Sequence, residues 1–237
     1  MTSFSQQSVL VVGGSSGIGE ATARAFADAG AKVTIASRNA ERLDAAARNI
    51  GGNVRTAVLD TTNEAAVDTY FASAETFDHV VISAAKTPGG PIRALALHDA
   101  RAAMESKFWG AYRVARVAKI RDGGSLTFVS GFLSVRPSAS SVLQGAINAA
   151  LEALARGLAL EFAPVRVNTV SPGLIETPLW SGMKEEAREN MFRAAAERLP
   201  ARRMGAPEDV ANAILYLAGT PFATGSTVLI DGGGAIA

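Results

Sequence analysis

Residues 12–19 read Val-Gly-Gly-Ser-Ser-Gly-Ile-Gly and follow directly on a short apolar run, Ser8–Val12. Glycines at 13 and 17 allow a tight turn and a close approach of backbone to a ligand, while Gly19 lets the next helix lie against the strand. The first amides of that helix and the positive end of its dipole then form an anion site. A strand, a glycine loop and a helix in this order suit a dinucleotide pyrophosphate, so Gly13, Ser15, Ser16, Gly17, Ile18 and Gly19 are candidate cofactor-binding residues. The second apolar run, Lys32–Ala36, ends in Ser37-Arg38. NAD-binding folds place an acid there for the ribose 2′-hydroxyl; a hydroxyl beside a guanidinium suits a 2′-phosphate instead, and NADP(H) is the expected cofactor.

Composition narrows the remaining chemistry. The chain has 237 residues and no cysteine, which excludes disulfides, thiolate metal sites and a cysteine nucleophile. His79 and His98 stand too far apart for a histidine-built metal site. With 23 basic and 22 acidic residues, nothing points to nucleic acid or to an anionic membrane surface. The opening stretch MTSFSQQSVLVVGG has neither a basic n-region nor a long apolar segment, and no later run approaches a membrane span. A cytoplasmic protein with a small-molecule substrate is the expectation.

The elements that must hold these residues alternate along the chain. Strands are expected at Ser8–Val12, Lys32–Ala36, Asn53–Leu59, His79–Ser83, Ser125–Ser130, Val165–Val170 and Thr227–Ile230. Helices are expected between them: Gly17–Ala29, Asn39–Asn49, Asn63–Glu75 behind a capping Thr62, a long Asp99–Lys119, Leu143–Phe162 and Pro207–Ala218. Short, wholly apolar strands separated by helices predict a doubly wound parallel sheet of about seven strands, covered on both faces. No repeat or linker divides it, so residues 1–237 form one domain, with a substrate-lid insertion around 174–205.

Four stretches together resemble the short-chain dehydrogenase/reductase family over essentially the whole chain. They are the G-x-x-x-G-x-G spacing at Gly13–Gly19, Val170–Pro178 (VSPGLIETP), Gly157–Glu161 followed by Val165–Asn168, and Gly225–Gly233 ending in Ile230-Asp231-Gly232-Gly233. The resemblance implies a nicotinamide-dependent oxidoreductase. It sets Pro172, Gly173, Ile175 and Thr177 beside the nicotinamide, and Asp60 at the adenine. Ser83 and Ala84 open the segment that reads N-N-A-G in the family and Ser83-Ala84-Ala85-Lys86 here. It also implies a homodimer or homotetramer packed through the helices that carry Lys107 and Gln144.

The family's catalytic Asn, Ser, Tyr and Lys fall at Lys107, Gly131 (beside Ser130), Gln144 and Asn148. In the family the tyrosine hydroxyl hands a proton to the carbonyl oxygen, and the lysine lowers its pKa while holding the ribose. Gln144 has no acidic proton, and loss of a positioned general acid costs about 10²–10⁴-fold. The resemblance therefore leads to an atypical NADP(H)-dependent oxidoreductase acting on a small carbonyl, imine or activated alkene without a tyrosine. Lys107, Ser130, Gln144 and Asn148 are its catalytic candidates. The alternative is an inactive NADP(H)-binding sensor or partner subunit. Lysine and asparagine have exchanged places, which leaves two readings of Lys107: a transplanted cation with a lowered pKa, or a solvated helix residue in a decayed site.

Other residues carry weaker expectations. Ser134, Ser138, Ser140 and Ser141 read as turn and cap formers. Lys86 reads as solvent-facing, His98-Asp99 as a helix start, and the charges of Lys184–Arg203 as a solvated face. Trp180, Met183, Met191 and Phe192 fit either an apolar lid or plain core.

Overall fold

The computed structural model describes residues 3–52 and 54–237. Seven strands, β1 (Ser8–Val12), β2 (Lys32–Ser37), β3 (Arg55–Val58), β4 (Phe77–Ile82), β5 (Ile120–Val129), β6 (Arg166–Pro172) and β7 (Thr227–Ile230), form one sheet in the order β3-β2-β1-β4-β5-β6-β7. Every neighbouring pair is parallel. The doubly wound sheet expected from the alternating runs is the one observed. Asn53, the expected first residue of the third strand, lies outside the described residues.

Strand side chains alternate between two cores, as the two-residue period of a strand requires. Leu10, Val12, Val80 and Ile82 face one side, against α3 (Glu64–Ser73), α5 (Gly110–Val117) and α6 (Val142–Glu161). Val9, Val11 and Val81 face the other, against α1 (Gly17–Asp28), α2 (Ala40–Ile50) and α8 (Pro207–Gly219). The strand order reverses between β1 and β4, and the carboxyl ends of the two strands open a crevice there, where such sheets bind ligands. No helix among the described residues is long and apolar enough to cross a membrane.

Three local expectations are corrected. The helix cap before α3 is Asn63, whose side chain accepts from Ala66 N, while Thr62 turns back to Asp60. The long helix is not continuous: α4 (Leu97–Met104) gives way to a π turn, Glu105–Trp109, before α5 resumes the α-helical period. The fifth strand begins five residues earlier than expected, at Ile120, because its first residues pair with the start of β4 at Phe77.

Arg166 on β6 is buried and fastens the carboxyl end of α8. Its guanidinium donates to the carbonyls of Leu217, Ala218, Thr220 and Ala223 at 2.6, 2.7, 3.0 and 3.1 Å. Leu217 and Ala218 belong to the last turn of α8, where no intrahelical donor reaches their carbonyls, and Thr220 and Ala223 lie in the turn that follows. Arg166→Met keeps the apolar stem but removes all four bonds, and should cost about 3–5 kcal/mol in urea unfolding. A loss under about 1 kcal/mol would mean that water replaces the guanidinium.

Candidate active site

One large cleft, about 1210 Å³, runs along the carboxyl ends of the strands. Its first wall is the β1–α1 turn. Gly13 has φ +91°, and a Cβ there would stand 2.5 Å from the amide nitrogen of Ala84, so only glycine fits between the two loops. Gly13, Ser15, Ser16, Gly17 and Ile18 line the cleft; Gly19 does not, lying behind it against Gly13 and Ser83. Ser83 and Ala84 hang from the end of β1, both amides donating to the carbonyl of Val12.

The far end of the cleft is cationic. Ser37, Arg38 and Arg42 line it, and among the described residues neither arginine has a carboxylate partner. The Ser37 hydroxyl is buried and has no hydrogen-bond partner among the described residues. Arg42 was missed in the sequence reading. Its four-residue spacing from Arg38, across the helix start capped by Asn39, is the signal that could have found it. Asp60 also lines this end, and its carboxylate accepts from the amide and hydroxyl of Thr62 at 3.0 and 2.8 Å.

The opposite wall is the end of β6 and the loop after it, where Pro172, Gly173, Ile175 and Thr177 all line the cleft. The segment beyond it is tied at its base by a bridge between Ile175 and Gly205 and by hydrogen bonds at 2.8 and 3.0 Å. It holds a 3₁₀ turn (Pro178–Trp180) and α7 (Glu185–Arg198). Trp180 and Met183 reach the cleft. Met191 does not line it, and Phe192 packs edge-to-face on Trp180 at 6.5 Å.

At the centre stand the four catalytic candidates, all lining the cleft. Lys107 sits in the π turn, a device that adds one residue to the helix and recurs at functional sites. Its ammonium donates to the carbonyl of Ser130 and to Asn148 Oδ1, both at 2.7 Å. This places Lys107 inside the site, so the alternative of a solvated helix residue is set aside. Burial pushes its pKa down from 10.5 to about 8, against the opposing pull of the Glu152 carboxylate.

Glu152, which sequence reasoning missed, is only 7% exposed. Its Oε1 accepts from the hydroxyls of Ser134, Ser130 and Ser171 at 2.7, 2.9 and 3.2 Å. A glutamate four residues after Asn148 on an apolar helix was the available signal. The network also corrects one serine assignment and adds to another. Ser130 has committed its proton inward and has none left to polarise a carbonyl, and Ser134, which closes a 3₁₀ turn as expected, also gives its hydroxyl to the carboxylate. Gln144 donates to the carbonyl of Thr87 at 2.9 Å and so braces the loop after β4. The chain has three tyrosines, Tyr70, Tyr112 and Tyr216. Among the described residues no tyrosine lines the cleft.

Comparison with known proteins agrees with this architecture. A family model described as Enoyl-(Acyl carrier protein) reductase matches residues 12–234. The short-chain dehydrogenase/reductase ATR9 of Stachybotrys chlorohalonatus is 33% identical, covering 98% of each chain. Carbonyl reductase family member 4 of Danio rerio is 30% identical over 94% of this chain and 96% of its own. A solved small-chain dehydrogenase in complex with NADPH is 31% identical with a TM-score of 0.82, over 98% of this chain and 100% of that chain. With the family model spanning nearly all of its length and relatives aligning end to end, the chain belongs to the short-chain dehydrogenase/reductase family.

Proposed function

We propose that the protein is an NADP(H)-dependent oxidoreductase that acts on a small carbonyl, imine or activated alkene without a tyrosine proton donor. One observation carries the reading. A cleft with a glycine turn, an unpartnered Ser37 hydroxyl and two unpaired arginines at one end has Lys107, and no tyrosine among the described residues, at its centre. The cofactor fits these residues. The amides at the start of α1 and the turn through Gly13 and Gly17 would hold its pyrophosphate, and Ser37, Arg38 and Arg42 its 2′-phosphate. Asp60, Ser83 and Ala84 would flank the adenine side, and Pro172, Gly173, Ile175 and Thr177 the nicotinamide. When bound, NADP(H) supplies or accepts the hydride.

The remaining roles belong to the chain. Lys107 supplies the positive charge of the site, and Asn148 and the Ser130 carbonyl fix its direction. Glu152 balances that charge from below, through Ser130. Gln144 holds the loop at Thr87 against the substrate side. The 174–205 segment covers the substrate, with Trp180 and Met183 as its apolar contacts. The family's general pattern favours a homodimer or homotetramer in which this cleft is repeated.

The test is a titration of NADPH fluorescence, followed by NADPH oxidation with cyclohexanone, a cyclic imine and cyclohexenone. Micromolar binding with oxidation by at least one of them supports the reading. Binding with no oxidation by any substrate would favour the inactive sensor instead.

A further inference from the structure

Asn148 is only 4% exposed, yet it lines the cleft. A lysine ammonium can only donate, so the Asn148 atom 2.7 Å from Lys107 Nζ must be the carbonyl oxygen. That bond turns the amide nitrogen, Nδ2, the other way, toward the open space over Gly131. A Cβ built on Gly131 would lie 2.7 Å from Nδ2, and Gly131 also lines the cleft. No acceptor among the described residues takes the Nδ2 protons; the side chain's one hydrogen bond is the one to Lys107. The amide nitrogen is thus a donor on the cleft wall with no acceptor from the described residues, placed to meet one from a ligand.

We infer that Asn148 Nδ2 is the donor that holds the substrate's oxygen, and that the substrate is an α,β-unsaturated carbonyl compound. The assignment rests on the oxidoreductase reading above and adds to it both the residue that touches the reacting molecule and the class of that molecule. The chemistry of an amide decides the class. An amide N–H stabilises a negative oxygen but does not surrender its proton, and two of the three ammonium protons of Lys107 are directed to the Ser130 carbonyl and to Asn148. A simple ketone becomes an alkoxide that must be protonated on oxygen as it forms. An enone accepts hydride at its β-carbon, the alkene pair moves into conjugation, and the charge rests on the oxygen as an enolate. The α-carbon then takes a proton from water. The saturated ketone forms, one NADPH becomes NADP⁺ and one proton is consumed. Such a reaction needs an oxyanion donor at the carbonyl and no acid there. The charge of Lys107 on the amide oxygen polarises the N–H bonds and strengthens them as donors.

Two variants separate this from a structural role. Asn148→Asp keeps the shape and the bond to Lys107 but removes the donor. Gly131→Ala leaves Asn148 in place chemically and inserts a Cβ against Nδ2; its backbone is extended, with φ 163°, so the new side chain meets only that contact. Each should lower turnover of cyclohexenone by about 10²–10³-fold, the usual loss of one oxyanion donor, with the NADPH dissociation constant unchanged. The wild type should also turn over cyclohexenone at least about tenfold faster than cyclohexanone, a gap of about 1.4 kcal/mol. Activity within about threefold of wild type in Asn148→Asp, or a preference for the ketone, overturns the proposal.

A readout free of turnover distinguishes its failure from failure of the oxidoreductase reading. para-Nitrophenol is added to the NADP⁺ complex below its own pKa, and the phenolate absorbance is followed. Phenolate formed on binding to the wild type and lost in Asn148→Asp supports the donor even where no substrate is oxidised. No phenolate in the wild type overturns it.

Discussion

Replacing Lys107 by methionine should lower turnover about 10²–10³-fold while leaving NADPH binding nearly intact. The ammonium stands at the centre of the cleft, held at 2.7 Å by Ser130 and Asn148. Its removal strips charge from the site without touching the turn at Gly13 or the arginines at the other end. The same residue predicts the alkaline limb of the pH profile. Burial holds its pKa at about 8, so activity that needs the ammonium falls as pH rises through that value. Lys107→Arg, with a guanidinium that keeps its proton, should move that limb upward even where it works more slowly.

Stability should run the opposite way. The unfolded chain binds the Lys107 proton up to its ordinary value of 10.5 and the folded chain only up to about 8. Between those values the unfolded state carries more protons, so this residue makes the fold more stable as pH rises. Below about pH 8 its cost is present in full. Lys107→Met should therefore melt at a higher temperature at neutral pH while losing activity. A variant that is both less stable and still active would remove Lys107 from the chemistry.

Arg38→Asp should reverse cofactor preference, moving the NADPH-to-NADH affinity ratio by about 10³-fold. Charge-assisted bonds to the 2′-phosphate contribute about 1.5–3 kcal/mol, and a carboxylate in their place adds a repulsion of comparable size. The total of about 4 kcal/mol corresponds to three powers of ten. The new carboxylate can also accept from the 2′-hydroxyl of NADH, so the gain and the loss fall on different cofactors. Arg42 remains nearby and limits the swing; the pair Arg38→Asp with Arg42→Ala should exceed the single change. Fluorescence titration of both cofactors measures it. An unchanged ratio would place the 2′-phosphate elsewhere.

Much of this was legible in the sequence because its physical causes are local. Five-residue β-branched runs and alanine-rich helices leave few topologies, and the doubly wound parallel sheet followed from right-handed crossovers. The glycine turn and Ser37-Arg38 were readable because each group is made of residues adjacent in sequence at the end of a strand. The centre was less legible. Lys107 and Asn148 lie forty-one residues apart, and their contact depends on two helices meeting across β5. Glu152 and its three serines come from α6, the residue just past β5, the turn that follows it and β6, a convergence that no periodicity announces. Thr62 and Asn63 are both good caps, and the carboxylate of Asp60 decided between them by claiming the threonine. The interrupted helix was invisible for a related reason: a π turn changes phase without changing composition.

That interruption ties the length of the chain to the aim of its central cation. Each residue of an α-helix rotates the face by about 100°, so a helix carrying one surplus residue is out of step on either side of it. Upstream of Glu105–Trp109 the helix is set by its own start at Leu97; downstream, Ala111, Val114 and Ala115 are locked against the sheet. The surplus is stored at Lys107, where it costs regular hydrogen bonding and points one side chain at Asn148. A lineage that lost a single residue here would gain a smoother helix with its core face intact, and its cleft would go dark. Gaps in this segment are thus a marker of changed chemistry that substitutions alone would not reveal.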